Sequence, residues 1–319
     1  METERHFVDT FYAPVLVFAY NRANHLRRTL QALSANVGVE NTKIYVHVDG
    51  PKTEDEEITR DEVLSVLEEF KSGLVDEVLI QHTNKGLSRS VIDGVSEMFE
   101  RHDRLIVLED DIVSSSAFLE YMNRCLSIYE HSPKIMSVSA YLPDRISREV
   151  SGRLSDGDVF LVQRSSSWGW GTWRKSWEKA DWFGNENGFH NATAAAKRVF
   201  GRLGRDLIQM VELQTEGLID SWAIRWAWAH YRNGSFALTP VRSLVENIGF
   251  DGSGTHTRRK LNLGARLSEP LTNLSLPETP LHDLYIDDVF YKNHNPSIFR
   301  TLYWKARIIK SRLWENNEE

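Results

Sequence analysis

The first 110 residues constrain this chain more than any other feature. Two unbroken apolar runs, at residues 14–20 (PVLVFAY) and 105–108, and two mixed stretches that read as strands, at 43–48 and 75–82, alternate with stretches of helical character. Runs this short and unbroken read as strands buried on both faces. In the first intervening stretch Leu26, Leu30 and Leu33 share one helix face. Thr53 and Glu56 have the spacing of a capping box, which predicts an acidic helix running to about Lys71. Asn84-Lys85-Gly86 predicts a turn, and residues 87–100 a helix. Strand and helix in strict alternation build βαβ units, so the expectation is an α/β fold: a mostly parallel sheet flanked by helices.

The fourth strand runs directly into Glu109, Asp110 and Asp111. Three adjacent carboxylates repel one another and need a compensating cation. A divalent ion with a preference for hard oxygen ligands, Mg²⁺ or Mn²⁺, suits them. The alternative is an acidic turn that caps a helix beginning near residues 114–116. Polar residues also close the other strands: Asn21 and Arg22 after the first, Asp49 after the second and Lys85 after the third. Open parallel sheets bind ligands beyond the carboxyl ends of their strands, so four polar sets along one edge form a candidate nucleotide site. Neither GxGxxG nor GxxxxGK[ST] occurs, which excludes the usual dinucleotide fingerprint and P-loop chemistry.

Beyond residue 111 the pattern predicts helices at 117–130, 192–213, from Asp220 to near 233, and at 297–314. Further strands are expected at 134–140, 159–163 and 235–239, with a polar surface excursion at 143–158. The glycines of SWGWGTW (167–173) suit tight turns and close approach of a ligand to the backbone. Eight of the ten tryptophans cluster, at Trp168, Trp170, Trp173, Trp177 and Trp182 and at Trp222, Trp226 and Trp228, as core or as platforms for sugar rings. The net charge of −7 argues against a general nucleic-acid binder. Cys125 is the lone cysteine, which excludes an internal disulfide and suits a reducing compartment. The opening METERHFVDT has no apolar core of a secretory signal, and no stretch approaches the roughly 20 apolar residues of a membrane span. A cytoplasmic enzyme, at most touching the inner face of the membrane, is the expectation.

In order, PVLVFAYNR, VDG, LEDDIV, SWGWGTW, DSWAIRW and VENIGFDGSGTH resemble a GT-A glycosyltransferase of the N-acetylglucosaminyltransferase I family and its bacterial relatives, over residues 14–256. The resemblance implies a GT-A domain over 1–260, with a nucleotide-binding half at about 14–112 and an acceptor half at about 113–260, followed by an extension at 261–319. It implies an inverting, metal-dependent transfer from a UDP-sugar, with N-acetylglucosamine as the first guess. The acceptor would be a glycan or lipid-linked saccharide. Arg22 and Asp49 would hold base and ribose, flanked by Tyr20, Asn21 and Lys85 on the nucleotide-sugar. Asp111 would ligate the metal, with Asp110 and His256 beside it. Glu109 and Asp110 would touch the donor's sugar and ribose, and Thr255 would lie on a loop closing over the diphosphate. Asp220 would be the catalytic base, and Trp168, Trp170 and Trp222 would line the sugar or acceptor side. Where that family has Trp and Asp around the base, this chain has Ile219 and Ser221, which leaves the acceptor open.

An inverting transfer needs one base for the attacking hydroxyl and help for the leaving diphosphate. Asp220, far from the acids in sequence, suits the first role, and as a helix N-cap it has an equally ordinary structural reading. Two other functions fit parts of the chain. A non-catalytic sugar binder would account for the tryptophans but needs neither the acids nor Asp220. A sugar nucleotidyltransferase would have a Gly-rich basic loop after the first strand, where this chain has Tyr20-Asn21-Arg22-Ala23-Asn24. In the tail, Leu302, Ile309, Leu313, Trp304 and Trp314 stand beside Lys305, Arg307, Lys310 and Arg312. Such a helix either docks by its apolar side or lies weakly on an anionic membrane.

Overall fold

The apolar runs do form a two-sided sheet, visible in where alternate residues of one strand go. In β1 (Val15–Ala19), Val15, Val17 and Ala19 join the core on one face, while Leu16 and Phe18 join the core on the other. In β4 (Arg104–Glu109), Ile106 and Leu108 face one way and Leu105 and Val107 the other. The structure, a computed structural model, describes residues 12–153, 157–183, 188–251, 267 and 274–315, without the side chains of 190 and 311–315.

Between these strands lie α1 (Ala23–Ser34), β2 (Ile44–Val48), α2 (Asp55–Phe70), β3 (Glu77–Ile80) and α3 (Leu87–Arg101). After β4 come β5 (Ile112–Ser114), α4 (Phe118–Ile128), β6 (Ile135–Ser139), α5 (Asp144–Val150), β7 (Val159–Val162), β8 (Trp170–Trp173) and α6 (Arg174–Trp177). Then follow α7 (Ala194–Phe200), α8 (Arg205–Thr215), α9 (Trp222–Arg232), β9 (Phe236–Pro240), β10 (Val245–Asn247), α10 (Leu284–Asn293) and α11 (Ile298–Glu315).

Among the described residues, eight strands make one sheet in the order β3-β2-β1-β4-β8-β6-β9-β7. β1, β2, β3 and β4 pair in parallel, as do β6 and β9. β8 runs antiparallel between β4 and β6, and β7 antiparallel on β9. The sheet is therefore mostly parallel and flanked by helices, as the alternation predicts. Strands from residues 14–112 and from residues 113–260 both take part in it. The chain leaves β1 toward β2 on one side and returns to β4 on the other, so the crevice between β1 and β4 is a topological switch point. One face buries Leu26, Leu30 and Leu33 of α1 with Phe118 and Met122 of α4. The opposite face buries Val91, Val95 and Met98 of α3 with Trp222 and Trp226 of α9.

Several local expectations are corrected. Within 167–173 the chain does bend at Gly169 (φ +60°), but residues 170–173 are not a glycine turn and form β8. A Cβ on Gly171 would stand 2.8 Å from Met122 Cε and 3.1 Å from the Leu105 carbonyl oxygen, so this glycine lets α4 and β4 close on the strand. The expected helix over 192–213 is two helices, broken where Gly204 takes φ +145°, a left-handed-side value that favours glycine. Residues 144–150, expected as a polar excursion, form α5, whose Ile146 and Val150 pack on Ile286, Val289 and Phe290 of α10. The Thr53–Glu56 capping box forms only in part. α2 starts at Asp55 with no side-chain cap, and the Glu56 carboxylate accepts from the Thr53 N–H but also from the Lys52 N–H (2.8 Å) and the Tyr20 hydroxyl.

Candidate active site

The acidic turn joins β4 to β5 and is clamped from two sides. Thr29 of α1 donates its hydroxyl to the Asp110 carbonyl (2.8 Å), and the Ile248 N–H donates to the Asp111 carbonyl (2.9 Å). The second clamp exists because β10 pairs antiparallel with β5, which brings residues 245–249 back onto the acids. It also corrects the capping alternative: residues 112–114 are a strand, α4 begins only at Phe118, and no side-chain cap is made there.

The cation that the acids require comes from the chain itself. Arg22 Nη2 contacts Asp110 Oδ1 and lies 2.8 Å from Asp111 Oδ2. Burial works against the Arg22 charge, but the two carboxylates outweigh it and hold its pKa above the usual value. Space for the group comes from Gly249, where a Cβ would stand 2.1 Å from Asp111 Oδ2 and 2.9 Å from Arg22 Nη1. Burial, then repulsion from Asp111 and Asp110, pushes the pKa of Glu109 up to about 8. Burial also raises Asp110, to about 6, with Arg22 offsetting part of the rise. The remaining oxygen of Asp111, Oδ1, is buried without a hydrogen-bond partner. Such an atom suits a cation ligand, because an unpaired buried carboxylate oxygen is costly otherwise.

A cleft of about 410 Å³ opens over this turn, within the usual range for small-molecule sites. It brings together Tyr20, Asn21, Arg22, Asp49, Glu109, Asp110, Asp111, Trp168 and Asp220. Asp220 thus shares a cleft with acids that lie far from it in sequence. It is not the cap of α9: that role falls to Ser221, whose hydroxyl accepts from the Ile224 N–H. Asp220 is free of capping, its side chain 62% exposed, and Arg225 Nη1 lies 2.6 Å from its Oδ1. The same Arg225 nitrogen donates to Ser88 Oγ (3.0 Å), tying the pair to the first turn of α3. Partial burial alone would raise the Asp220 pKa, but Arg225 outweighs it and holds the carboxylate below its usual range.

The other expected site residues divide. Asp49 lines the cleft, yet both of its oxygens are taken. Oδ1 accepts from the N–H groups of Gly50 and Lys85, and Oδ2 from the Gly86 N–H and the Asn84 amide. That carboxylate holds the β3–α3 turn. Lys85, expected on phosphate, places its ammonium on Asp93 (3.2 Å) instead. Trp170 and Trp222, expected on the sugar or acceptor side, are only 1% and 3% exposed and stack on each other at 5.1 Å. Aromatic packing between β8 and α9 explains both, and neither offers a face to a ligand. Trp168 is half-buried between Tyr141 and Phe250 and does line the cleft. Thr255 and His256 lie outside the described residues.

Four cleft residues carried no sequence signal strong enough to single them out: His47, Ser88, Ser90 and Asn247. His47 had the best claim, as a histidine in an apolar strand two residues before Asp49. Its Nδ1 is buried without a partner, and burial lowers its pKa. Arg225 escaped notice because it lies five residues from Asp220, outside the i,i+3 and i,i+4 spacings that join side chains along a helix.

Residues 13–145, less than half of the chain, match the family model Glycosyltransferase like family 2. That stretch is similar to the family and contains the acidic turn and Arg22. No curated protein matches the chain. Among solved structures, TarS residues 1–349 of S. aureus share 12% identity at a TM-score of 0.43, over 73% of this chain and 59% of that one. GalNAc-T7, solved with UDP, GalNAc and Mn²⁺, shares 11% at 0.44, over 74% and 43%. Glucosyl-3-phosphoglycerate synthase of Mycobacterium tuberculosis, with Mn²⁺, UDP and glucosyl-3-phosphoglycerate, shares 14% at 0.32, over 51% and 57%. The chain thus spans less than two thirds of the length of these proteins, and the likenesses are too distant to speak to activity.

Proposed function

We propose that this protein is an inverting glycosyltransferase that moves a sugar from a nucleotide-diphosphate sugar to a hydroxyl of a saccharide. The observation that carries the proposal is the shared cleft: Asp220 on one side, the Glu109–Asp111 turn on the other, at the switch point of the sheet. The family 2-like match over residues 13–145 supports the same class of reaction. In this reading the donor's nucleotide rests among Tyr20, Asn21 and Arg22. Its diphosphate lies toward Arg22 and the N-terminal turn of α3, where Gly86 and Ser88 line the cleft. Asp220 accepts the proton of the attacking hydroxyl. Its lowered pKa keeps it ionised, and therefore able to accept, at neutral pH. Arg225 holds the carboxylate toward the cleft and away from the helix end.

Asp111 fits a divalent cation, because Oδ1 is buried without a protein partner while Oδ2 stays on Arg22. Among the described residues no cluster of three ligating side chains occurs. Asp111, alone or with Asp110, would hold such an ion, and substrate phosphates would complete its ligands, as they often do for Mg²⁺. When bound, such an ion would stabilise charge on the leaving diphosphate. UDP-N-acetylglucosamine is the first donor to test.

The experiment is release of nucleotide diphosphate by the purified chain from a panel of nucleotide sugars, with and without Mn²⁺ and with saccharide acceptors. Asp220→Asn should lose at least a hundredfold in turnover while still binding the donor, because only the proton acceptor is removed. Turnover near that of the parent would leave Asp220 without the role assigned to it.

A further inference from the structure

Helix α11 docks on the body and still exposes apolar residues, so the two readings of the tail are not alternatives. Ile308 is buried, and Thr301 Oγ1 accepts a hydrogen bond from Gln209 Nε2 of α8 (2.9 Å). The side opposite this contact ought to be polar in a helix that only packs at home. It is not. Ile298 is 71% exposed, Phe299 81%, and Leu302, Tyr303 and Ile309 each 58%. At 100° per residue, Ile298, Leu302 and Ile309 fall within one narrow stripe, and Phe299 and Tyr303 extend the apolar arc with Lys310 between them. Lys305 borders the arc on one side. Arg307 borders it on the other, and Arg300 and Arg307 both lie over the Trp304 ring (5.9 and 5.6 Å).

We propose that this face of α11 lies on an anionic lipid surface, its apolar stripe at the headgroup–acyl boundary and its basic flanks among the headgroups. The pattern is that of an interfacial helix: an exposed apolar stripe bordered by Lys and Arg on both sides. The charge distribution selects the occupant. The chain as a whole carries −7, but residues 298–315 contain five Lys or Arg and one Glu. A second copy docked through the same face would set two basic borders against each other, which opposes a symmetric dimer. No helix among the described residues is long and apolar enough to cross a membrane, so the contact is one of lying on, not spanning. The inference does not depend on the activity proposed above.

The test is co-sedimentation of the full chain with phosphatidylcholine vesicles and with vesicles containing about a third phosphatidylglycerol. Binding to the anionic vesicles at low salt, falling steeply by 0.5 M salt, and little binding to phosphatidylcholine alone are expected. Phe299→Glu with Leu302→Glu changes only exposed side chains and should abolish binding with an unchanged thermal melt. Lys305→Gln with Lys310→Gln should weaken it about 25-fold, roughly fivefold per charge removed. Failure of the parent chain to bind anionic vesicles at low salt overturns the proposal. So does undiminished binding by the Phe299→Glu, Leu302→Glu chain. Light scattering that shows a dimer dissociated by the same pair of substitutions also overturns it, and assigns the face to a second copy.

Discussion

Removing the internal cation of the acidic turn gives the most direct test of how this site is held together. Arg22→Met keeps the unbranched apolar stem and deletes the charge. Asp110 and Asp111 then face each other with side chains only 5% and 9% exposed. Deleting one partner of a buried ion pair costs about 3–5 kcal/mol, because the remaining charge is left uncompensated. Arg22 is itself 21% exposed, so the lower end applies, about 3 kcal/mol. The variant has one escape, which is to bind a proton. Asp110 already stands near 6 with Arg22 present and should rise further without it. A carboxylate whose folded pKa lies above its unfolded value favours folding below that pKa and loses this contribution as pH rises through it. The deficit relative to the parent chain should therefore be near 3 kcal/mol at pH 8 and smaller by at least about 1 kcal/mol at pH 5, one pKa unit being worth about 1.4 kcal/mol. A divalent ion offers a second escape. An ion present at about 100 times its dissociation constant stabilises by about 2.7 kcal/mol, and the variant should gain more from Mn²⁺ than the parent, which already has a cation in place. Urea unfolding followed by tryptophan fluorescence, at pH 5 and pH 8 and with and without 1 mM Mn²⁺ (roughly the useful range for such ions), measures all of this. A deficit below about 1 kcal/mol at pH 8, or one independent of pH, would refute the assignment of Arg22 as the compensating charge. An absent Mn²⁺ response would refute only the cation reading of Asp111.

Two further outcomes follow from pairings elsewhere in the molecule. Arg225 outweighs burial in keeping Asp220 below its usual pKa, so Arg225→Met should raise it. Since the base must be ionised, the acid limb of the rate profile should move to higher pH while donor KM stays close to the parent's; a profile that falls uniformly without moving would leave Arg225 a purely structural role. His230 is buried, its Nδ1 on the Trp226 carbonyl (2.9 Å) and its Nε2 on Ser137 Oγ (2.8 Å), and burial pushes its pKa down to about 4 from 6.5. Its unfolded form binds a proton that the folded form refuses between those values, so stability must fall as pH drops through that window, by about 3 kcal/mol in all and about 2 kcal/mol between pH 7 and pH 5. His230→Phe should start about 1–2 kcal/mol lower at pH 7 for its lost hydrogen bonds but show a flatter decline, and parallel unfolding curves for the two chains at pH 7 and 5 would contradict this.

What the sequence makes legible here depends on how local each cause is. β1 and β4 are readable because their runs are unbroken and apolar, and only a strand covered on both faces needs that; β2, which carries His47, and the edge strand β3, which carries Glu77, are readable from the alternation with helices. β8 is not readable, because Trp170-Gly171-Thr172-Trp173 has the composition of a turn. Its identity as a strand comes from two neighbours, β4 and β6, that reach it from far along the chain. The break between α7 and α8 was open to view in Gly201 and Gly204, but helical periodicity continues across it and hides it. Trp170 and Trp222 show the same limit from the other side: a tryptophan next to a motif has equal reason to be core or ligand platform until its packing partner, here the other tryptophan, is known.

The carboxylates of the cleft can be sorted by counting the donors each oxygen already has. Asp49 is fully subscribed, with four donors on two oxygens, three of them backbone N–H groups of the turns it joins. Such a group is at its lowest free energy as it stands, and a ligand could approach it only by displacing a donor from it. Asp111 has one oxygen on Arg22 and one buried oxygen with none, and Asp220 is mostly exposed, its Oδ1 taking Arg225 (2.6 Å) and, at 3.5 Å, the Gln214 amide. Those two keep acceptor capacity that folding has not used, one for a cation and one for a proton. Sequence position ranks the three alike, since each follows or precedes a regular element at the same edge of the sheet. Only the hydrogen-bond count separates the residue that builds the cleft from the residues left available to act in it.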